Sequence, residues 1–327
     1  MTRRVWMMLA AAALTVVPAA ARAQNDACMG IIAPPAFAAN CDVAVDVLRA
    51  AYAQTGILAA GGNPVPGVES TRGITLMLVP GTTASLRFSA ARQLLPDLRS
   101  ESAGDERSEV ATAIRLGTAT KVFGGVAAGP VSGVGAIDLL LDAALLPAAG
   151  QGRDAAAAFG AGARIGLIRE TFATPGVAVT AMYRHVGRQQ YGRLCPIPDV
   201  SCEDSNVGEA SFALNDVSGR LTVGKRLGPV GVLGGVGIDR FSTTGGLVRF
   251  YGGGIEGTAR LGEEVDRHDT RWSAFGNLSY GLLVGSLVAE AGYMGGGEAS
   301  LVFDGDAGHY QAGKGTPFGS LALRITL

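Results

Sequence analysis

The chain has 327 residues, 49 of them glycine, with 48% hydrophobic and 17% charged side chains and a formal net charge of -1. Glycine at about twice its usual ~7% excludes long regular helices as the main fabric, and high apolar content with almost no net charge excludes a disordered chain. Charged residues fall below the ~25% of an ordinary soluble domain, yet no run after residue 23 is apolar enough to span a membrane as a helix.

Residues 1–23 read as a cleaved signal peptide. Arg3 and Arg4 precede the apolar run Val5 to Val17, and Ala21-Arg22-Ala23 is a small-x-small cleavage site before Gln24. Without Arg3, Arg4 and Arg22 the mature chain carries 24 basic and 28 acidic side chains, a balance that suggests neither a nucleic-acid partner nor an anionic surface. Four cysteines form two local couples, Cys28 with Cys41 and Cys195 with Cys202. In an exported chain an even count points to disulfides, with three connectivities open. A metal site is disfavoured, because the spacings are wide and only His185, His268 and His309 are present.

Residues 24–81 lack the strand pattern of the remaining chain. Asp42 to Gln54 is alanine-rich and predicts a short helix ending near Gly56, followed by the glycine and proline loop Gly61 to Gly67. Such a segment suits either a plug inside a barrel lumen or an appendage on its rim, and the sequence favours neither.

From residue 82 the dominant signal is alternation with period two, the mark of a strand with two unlike faces. Leu321, Leu323, Ile325 and Leu327 share one face while Ala322, Arg324 and Thr326 share the other. The same pattern recurs near 82–92, 109–122, 131–145, 156–169, 176–187, 209–226, 229–241, 246–251, 255–263, 270–282, 285–296 and 315–327. That predicts twelve strands, with 246–251 the weakest; ten or fourteen remain open, the latter if Ile74 to Val79 adds a strand.

A soluble sandwich and an outer-membrane barrel share this alternation, turned opposite ways. Three features favour the barrel. Short turns near Ala128-Gly129-Pro130, Ala173 to Gly176, Leu227-Gly228-Pro229, Gly252 to Gly254 and Leu283 to Gly285 alternate with longer polar stretches at 93–109, 146–155, 188–208, 262–270 and 295–314. The chain stops on a strand, and the strands are long enough to cross a bilayer at a tilt. The reading is therefore an all-β transmembrane antiparallel barrel over 82–327 in the outer membrane, behind a plug or periplasmic segment.

On these features the chain resembles bacterial outer-membrane β-barrel proteins, which implies outer-membrane lipid and the barrel-assembly machinery as partners. It departs from them in ending on Leu327, where such proteins usually carry an aromatic residue; Phe318 lies well inside the last strand. The segment around Asn63-Pro64 is similar to the amino-terminal hatch of the long-chain fatty-acid transporter family.

The face opposite the apolar one supplies the candidate lumen residues: Arg87, Arg115, Lys121, Asp138, Asp142, Arg164, Arg184, Arg220, Asp239, Glu256, Arg260, Arg271, Glu290 and Arg324. A buried ion costs several kcal/mol unless paired, so mixed signs suit one enclosed lumen, either a charged constriction or a salt-bridged filled interior. No Gly-x-Ser-x-Gly elbow and no His-Glu-x-x-His occur. Asp266-Arg267-His268-Asp269 resembles the acid and histidine chemistry of a barrel protease in composition alone and is expected to be a solvated loop. His185 is expected at the membrane interface. The reading excludes an enzyme and a cofactor, and expects a channel or passive transporter for small or apolar solutes, or else a scaffold acting through its loops.

Overall fold

A computed structural model describes residues 54–67, 82–96, 106–123, 137–147, 155–168, 170–194, 208–252, 255–261, 268–297 and 314–326. The signal segment, the four cysteines and Ile74 to Val79 lie outside these residues. Eleven strands are present among them: β1 (Thr82–Pro96), β2 (Glu106–Phe123), β3 (Ile137–Leu146), β4 (Ala156–Ile168), β5 (Gly176–Leu194), β6 (Gly208–Leu227), β7 (Val230–Gly252), β8 (Ile255–Leu261), β9 (His268–Gly281), β10 (Gly285–Met294) and β11 (Thr316–Thr326).

Ten of these close into a ring. β1 to β7 pair antiparallel in chain order, β7 passes to β9, and β9, β10 and β11 follow. β11 then returns to β1, from Thr83 opposite Thr326 to Ala91 opposite Phe318. Closure pairs every ring strand on both edges, which is what a bilayer demands of backbone polar groups.

The count is ten where the alternation predicts twelve. Val248 and Phe250 belong to the far end of β7, which runs unbroken from Val230 to Gly252. β8 folds back on Gly246 to Gly252 and pairs with no other strand among the described residues. What reads as two barrel strands is thus a two-stranded extension above the ring. β3 is described from Ile137, the predicted start at 131 lying outside the described residues, and β5 extends to Leu194, shortening the polar stretch predicted over 188–208.

The two faces sit opposite to those of a soluble protein. Leu116, Leu139, Leu141, Phe159, Val217, Ile238, Leu278, Leu287 and Leu321 are each exposed by more than half of their surface. Arg184, Arg220, Arg271, Asp216 and Asp239 are almost completely enclosed. Water would reward neither arrangement, whereas hydrocarbon outside and a polar interior reward both.

The bare apolar belt has definite edges. On β6 it runs from Val223 to Val217, between Lys225 and Asn215; on β7 it runs from Val230 to Ile238 and gives way to Arg240. The nine residues of the β7 run, at ~3.3 Å each and a tilt of ~40°, span about 23 Å, close to the ~25 Å height of an outer-membrane apolar band. Trp272 and Tyr293, on neighbouring strands with ring centroids 6.0 Å apart, face outward far from the β9–β10 turn, and Tyr280 faces outward beside it. These are the positions of aromatic girdles. β5, β6 and β7 continue well past the belt, so the barrel wall rises beyond the membrane on the side opposite the short Gly228-Pro229 turn.

Candidate functional site

Period-two geometry sends every second residue inward, and neighbouring strands place those residues side by side. Asp138 lies opposite Arg164, whose Nε and Nη2 both donate to Asp138 Oδ2 at 3.0 and 2.6 Å. Arg184 donates from Nε to Asp142 Oδ2 at 2.9 Å, and from Nη1 to Asp216 Oδ2 at 3.3 Å and Ser218 Oγ at 3.1 Å. To reach Asp142 it must cross β4, and Gly160 leaves the room: a Cβ there would lie 2.7 Å from Arg184 Cγ and 2.2 Å from Asp142 Oδ1. Arg220 meets Asp239 at 2.5 Å, and Arg271 meets Asp269 at 2.7 Å. Arg87 Nη1 stands 3.7 Å from Glu290 Oε1. Low-dielectric surroundings make such pairs obligatory, because a lone buried ion is far costlier than a paired one.

Within this charged ring lie residues 54–67. Residues 54–60 are helical, and the chain leaves the helix through Gly61 and Gly62, the latter at φ +84°. A helix end leaves carbonyls without partners, and the barrel wall supplies donors. Arg115 Nη2 donates to the carbonyls of Leu58, at 2.9 Å, and Ala59. Arg220 donates to Ala60 O at 2.9 Å and Gly62 O at 3.1 Å. Arg87 donates to Asn63 O, and Arg324 to Pro66 O at 3.2 Å. A guanidinium beside the negative end of a helix is also favourable electrostatically.

Further contacts pin the segment from several sides. Gln93 donates to Gln54 O at 3.2 Å, Thr55 donates to Gln189 Oε1 at 3.1 Å, and Asn63 N donates to Glu290 Oε2 at 3.0 Å. Asn63 Oδ1 accepts from Val65 N at 3.2 Å, fixing the turn at Pro64. Val65 then packs on Ala119, Leu140 and Met182 of the wall. The helix predicted to end near Gly56 instead runs through it: the Phe241 ring rests against that position, where a Cβ would approach to 2.4 Å.

The structure thus places Arg87, Arg115, Asp138, Asp142, Arg164, Arg184, Arg220, Asp239, Arg271, Glu290 and Arg324 on the inner wall, with Lys121 half-buried opposite Asp138. Glu256 and Arg260 are corrections. Both lie on β8, which is outside the closed ring, so they are not lumen-wall positions. The Asp266 to Asp269 run is corrected in part, because β9 begins at His268 and Asp269 is an inward, buried partner of Arg271. Asp216, Gln93, Gln189 and Asn277 also face inward; Asp216, Gln93 and Asn277 share the parity of the lumen residues on their strands, whereas Gln189 is turned inward by the register shift after Val186 and breaks the parity of Arg184. His185 lies on the outer face, its Nδ1 2.7 Å from Asn215 Oδ1, an atom that also accepts from Tyr183 OH at 2.9 Å. The cysteines Cys28, Cys41, Cys195 and Cys202 lie outside the described residues.

No family model and no curated protein matches the chain. Among solved structures it is similar to the outer membrane protease OmpT from Escherichia coli, with 11% identity, a TM-score of 0.44, and coverage of 76% of this chain and 96% of that one. It is similar also to the translocator domain of the autotransporter NalP from Neisseria meningitidis, with 14% identity, a TM-score of 0.40, and coverage of 88% and 96%. A third is Ail, the attachment invasion locus protein of Yersinia pestis, with 11% identity, a TM-score of 0.28, and coverage of 76% and 98%. The expectation that the chain is no enzyme is corrected here. Barrels similar to it include a protease, so neither the architecture nor the lack of a familiar motif excludes catalysis. A closed ten-stranded ring, bare and apolar outside, charged and paired inside, is the architecture of an outer-membrane β-barrel.

Proposed function

We propose that this barrel is an outer-membrane channel held closed by its own residues 54–67, after export by the signal peptide of residues 1–23. The observation that carries the reading is how the plug is held. Arg87, Arg115, Arg220 and Arg324 grip it through main-chain oxygens, alongside the small cluster around Val65 and the buried Ile57 and Leu58. Hydrogen bonds to carbonyls can be exchanged for bonds to water or solute with little net cost, unlike a packed apolar core. The hatch role read from Asn63-Pro64 thus falls to residues 54–67, with the solute passing where they now lie. Outer-membrane lipid and the barrel-assembly machinery are the partners of this reading.

A second reading is a permanently filled scaffold acting through the strands that rise above the membrane. The long β5, β6 and β7 and the β8 extension favour it. Planar-bilayer recording separates the two. The channel reading expects low conductance from the intact chain and a clear rise when residues 54–67 are deleted. A deleted variant that still folds, judged by heat-modifiable electrophoretic mobility, and passes no current would refute it.

A further inference from the structure

We infer that the lumen selects small solutes bearing carboxylate or phosphate oxygens, and that the main-chain oxygens of residues 58–66 occupy the oxyanion positions while the barrel is closed. The inference rests on the channel reading above and names what the channel takes. Its starting point is a mismatch in partners. Each inward carboxylate among the described residues, Asp138, Asp142, Asp216, Asp239, Asp269 and Glu290, already faces an arginine of the wall. Arg220 and Arg87 keep Asp239 and Glu290 when the plug leaves, whereas Arg115 has no carboxylate among the described residues to turn to.

Arg115 states the case most sharply. It is buried, no carboxylate among the described residues pairs with it, and its Nη2 is bonded to the carbonyls of Leu58 and Ala59. Its Nε and Nη1 have no hydrogen-bond partner, nor does Nη1 of Arg87, the residue directly opposite it across β1 and β2. Two like charges side by side are repulsive unless something negative joins them. In the closed state that role falls to the carbonyl end of the 54–60 helix, which carries about half a negative charge. A carboxylate or phosphate offers a full charge and two or more acceptor oxygens to the same planar forks, the geometry that guanidinium groups bind best. The plug is thus a weaker version of its own competitor.

The test uses the full chain. Gly62→Ala strains the plug at a position with φ +84° and puts a Cβ 1.9 Å from Glu290 Oε1, so it weakens the plug's seat while substituting no wall residue. In planar bilayers under a salt gradient, Gly62→Ala should conduct with a reversal potential of anion-selective sign, and adding Arg115→Gln should abolish that selectivity. Succinate and inorganic phosphate should each block chloride current in Gly62→Ala, and less so once Arg115→Gln is added. If Gly62→Ala conducts without anion preference, or Arg115→Gln leaves the preference unchanged, the inference falls and the channel reading stands. If folded Gly62→Ala conducts no more than wild type, both fall. Should Gly62→Ala fail to fold, amide hydrogen exchange on the wild-type chain decides the inference alone. Succinate or phosphate, but not equal ionic strength of chloride, should accelerate exchange across residues 54–67, and unchanged exchange overturns it.

Discussion

Arg220 is the residue on which the inner wall and the plug both depend, and Arg220→Met measures that dependence. Its guanidinium serves Asp239 at 2.5 Å, Ala60 O at 2.9 Å and Gly62 O at 3.1 Å, besides the carbonyls of Gly219 and Ile238 in its own wall. Methionine keeps the apolar stem and removes every donor. Stranding Asp239, which has no exposed surface, costs about 3–5 kcal/mol. Each plug carbonyl left unmet adds about 1–3 kcal/mol unless the plug withdraws to water. The loss is large against a typical total stability of about 5–15 kcal/mol. Arg220→Met/Asp239→Leu removes the orphan charge and should recover about 3 kcal/mol of it, because a buried pair replaced whole is far cheaper than a pair cut in half. Urea unfolding in lipid vesicles reads both variants. In a chain prepared without residues 1–23, Trp272 is the one tryptophan, and it sits on the lipid face, so its emission follows barrel insertion. A double variant no more stable than Arg220→Met, or a single variant within about 1 kcal/mol of wild type, would refute the dependence.

Three other outcomes are expected. Leu221→Arg, in the middle of the β6 apolar belt, should cost about 2–4 kcal/mol in vesicle unfolding, and Leu227→Arg, beside the short turn, about 0–1 kcal/mol; equal costs would place the belt elsewhere. Gly160→Ala forces Arg184 away from Asp142, at about 1–3 kcal/mol, and the same unfolding experiment shows a silent change if Arg184 is not held there. Asn63→Ala removes the acceptor that fixes Val65, at about 1 kcal/mol. It should speed amide exchange over residues 54–67 while leaving β6 and β7 protected.

Much of this wall is legible in the sequence because a strand has only two faces. Once Leu221 and Val223 are assigned outward, Arg220 and Thr222 must point inward, and the structure has them so. Asp216 obeys the same parity as Ser218 and Arg220 and is legible from them. Asp269 is hidden by company, since four consecutive polar residues look like a loop until the pairing partner Phe241 is known. The strand number fails where glycine misleads. Gly252 to Gly254 has the composition of a barrel turn, but the pairing of β9 with the lower half of β7 leaves no place in the ring for β8. The hold on the plug is not legible at all, because its acceptors are backbone oxygens, and those carry no side-chain signature.

The seam between β1 and β11 has a consequence for assembly. Thr83 and Thr326 are roughly 240 positions apart, so this pairing is a contact of very long range and must come late. Arg87 lies on one side of that seam and Arg324 and Glu290 on the other, and all three touch residues 63–66. The plug precedes β1 in the chain and is synthesised before it, yet its full set of bonds exists only once the β10–β11 hairpin has arrived. Residues 54–67 are therefore held from both sides of the β1–β11 seam, and an earlier-made segment is enclosed by strands made after it.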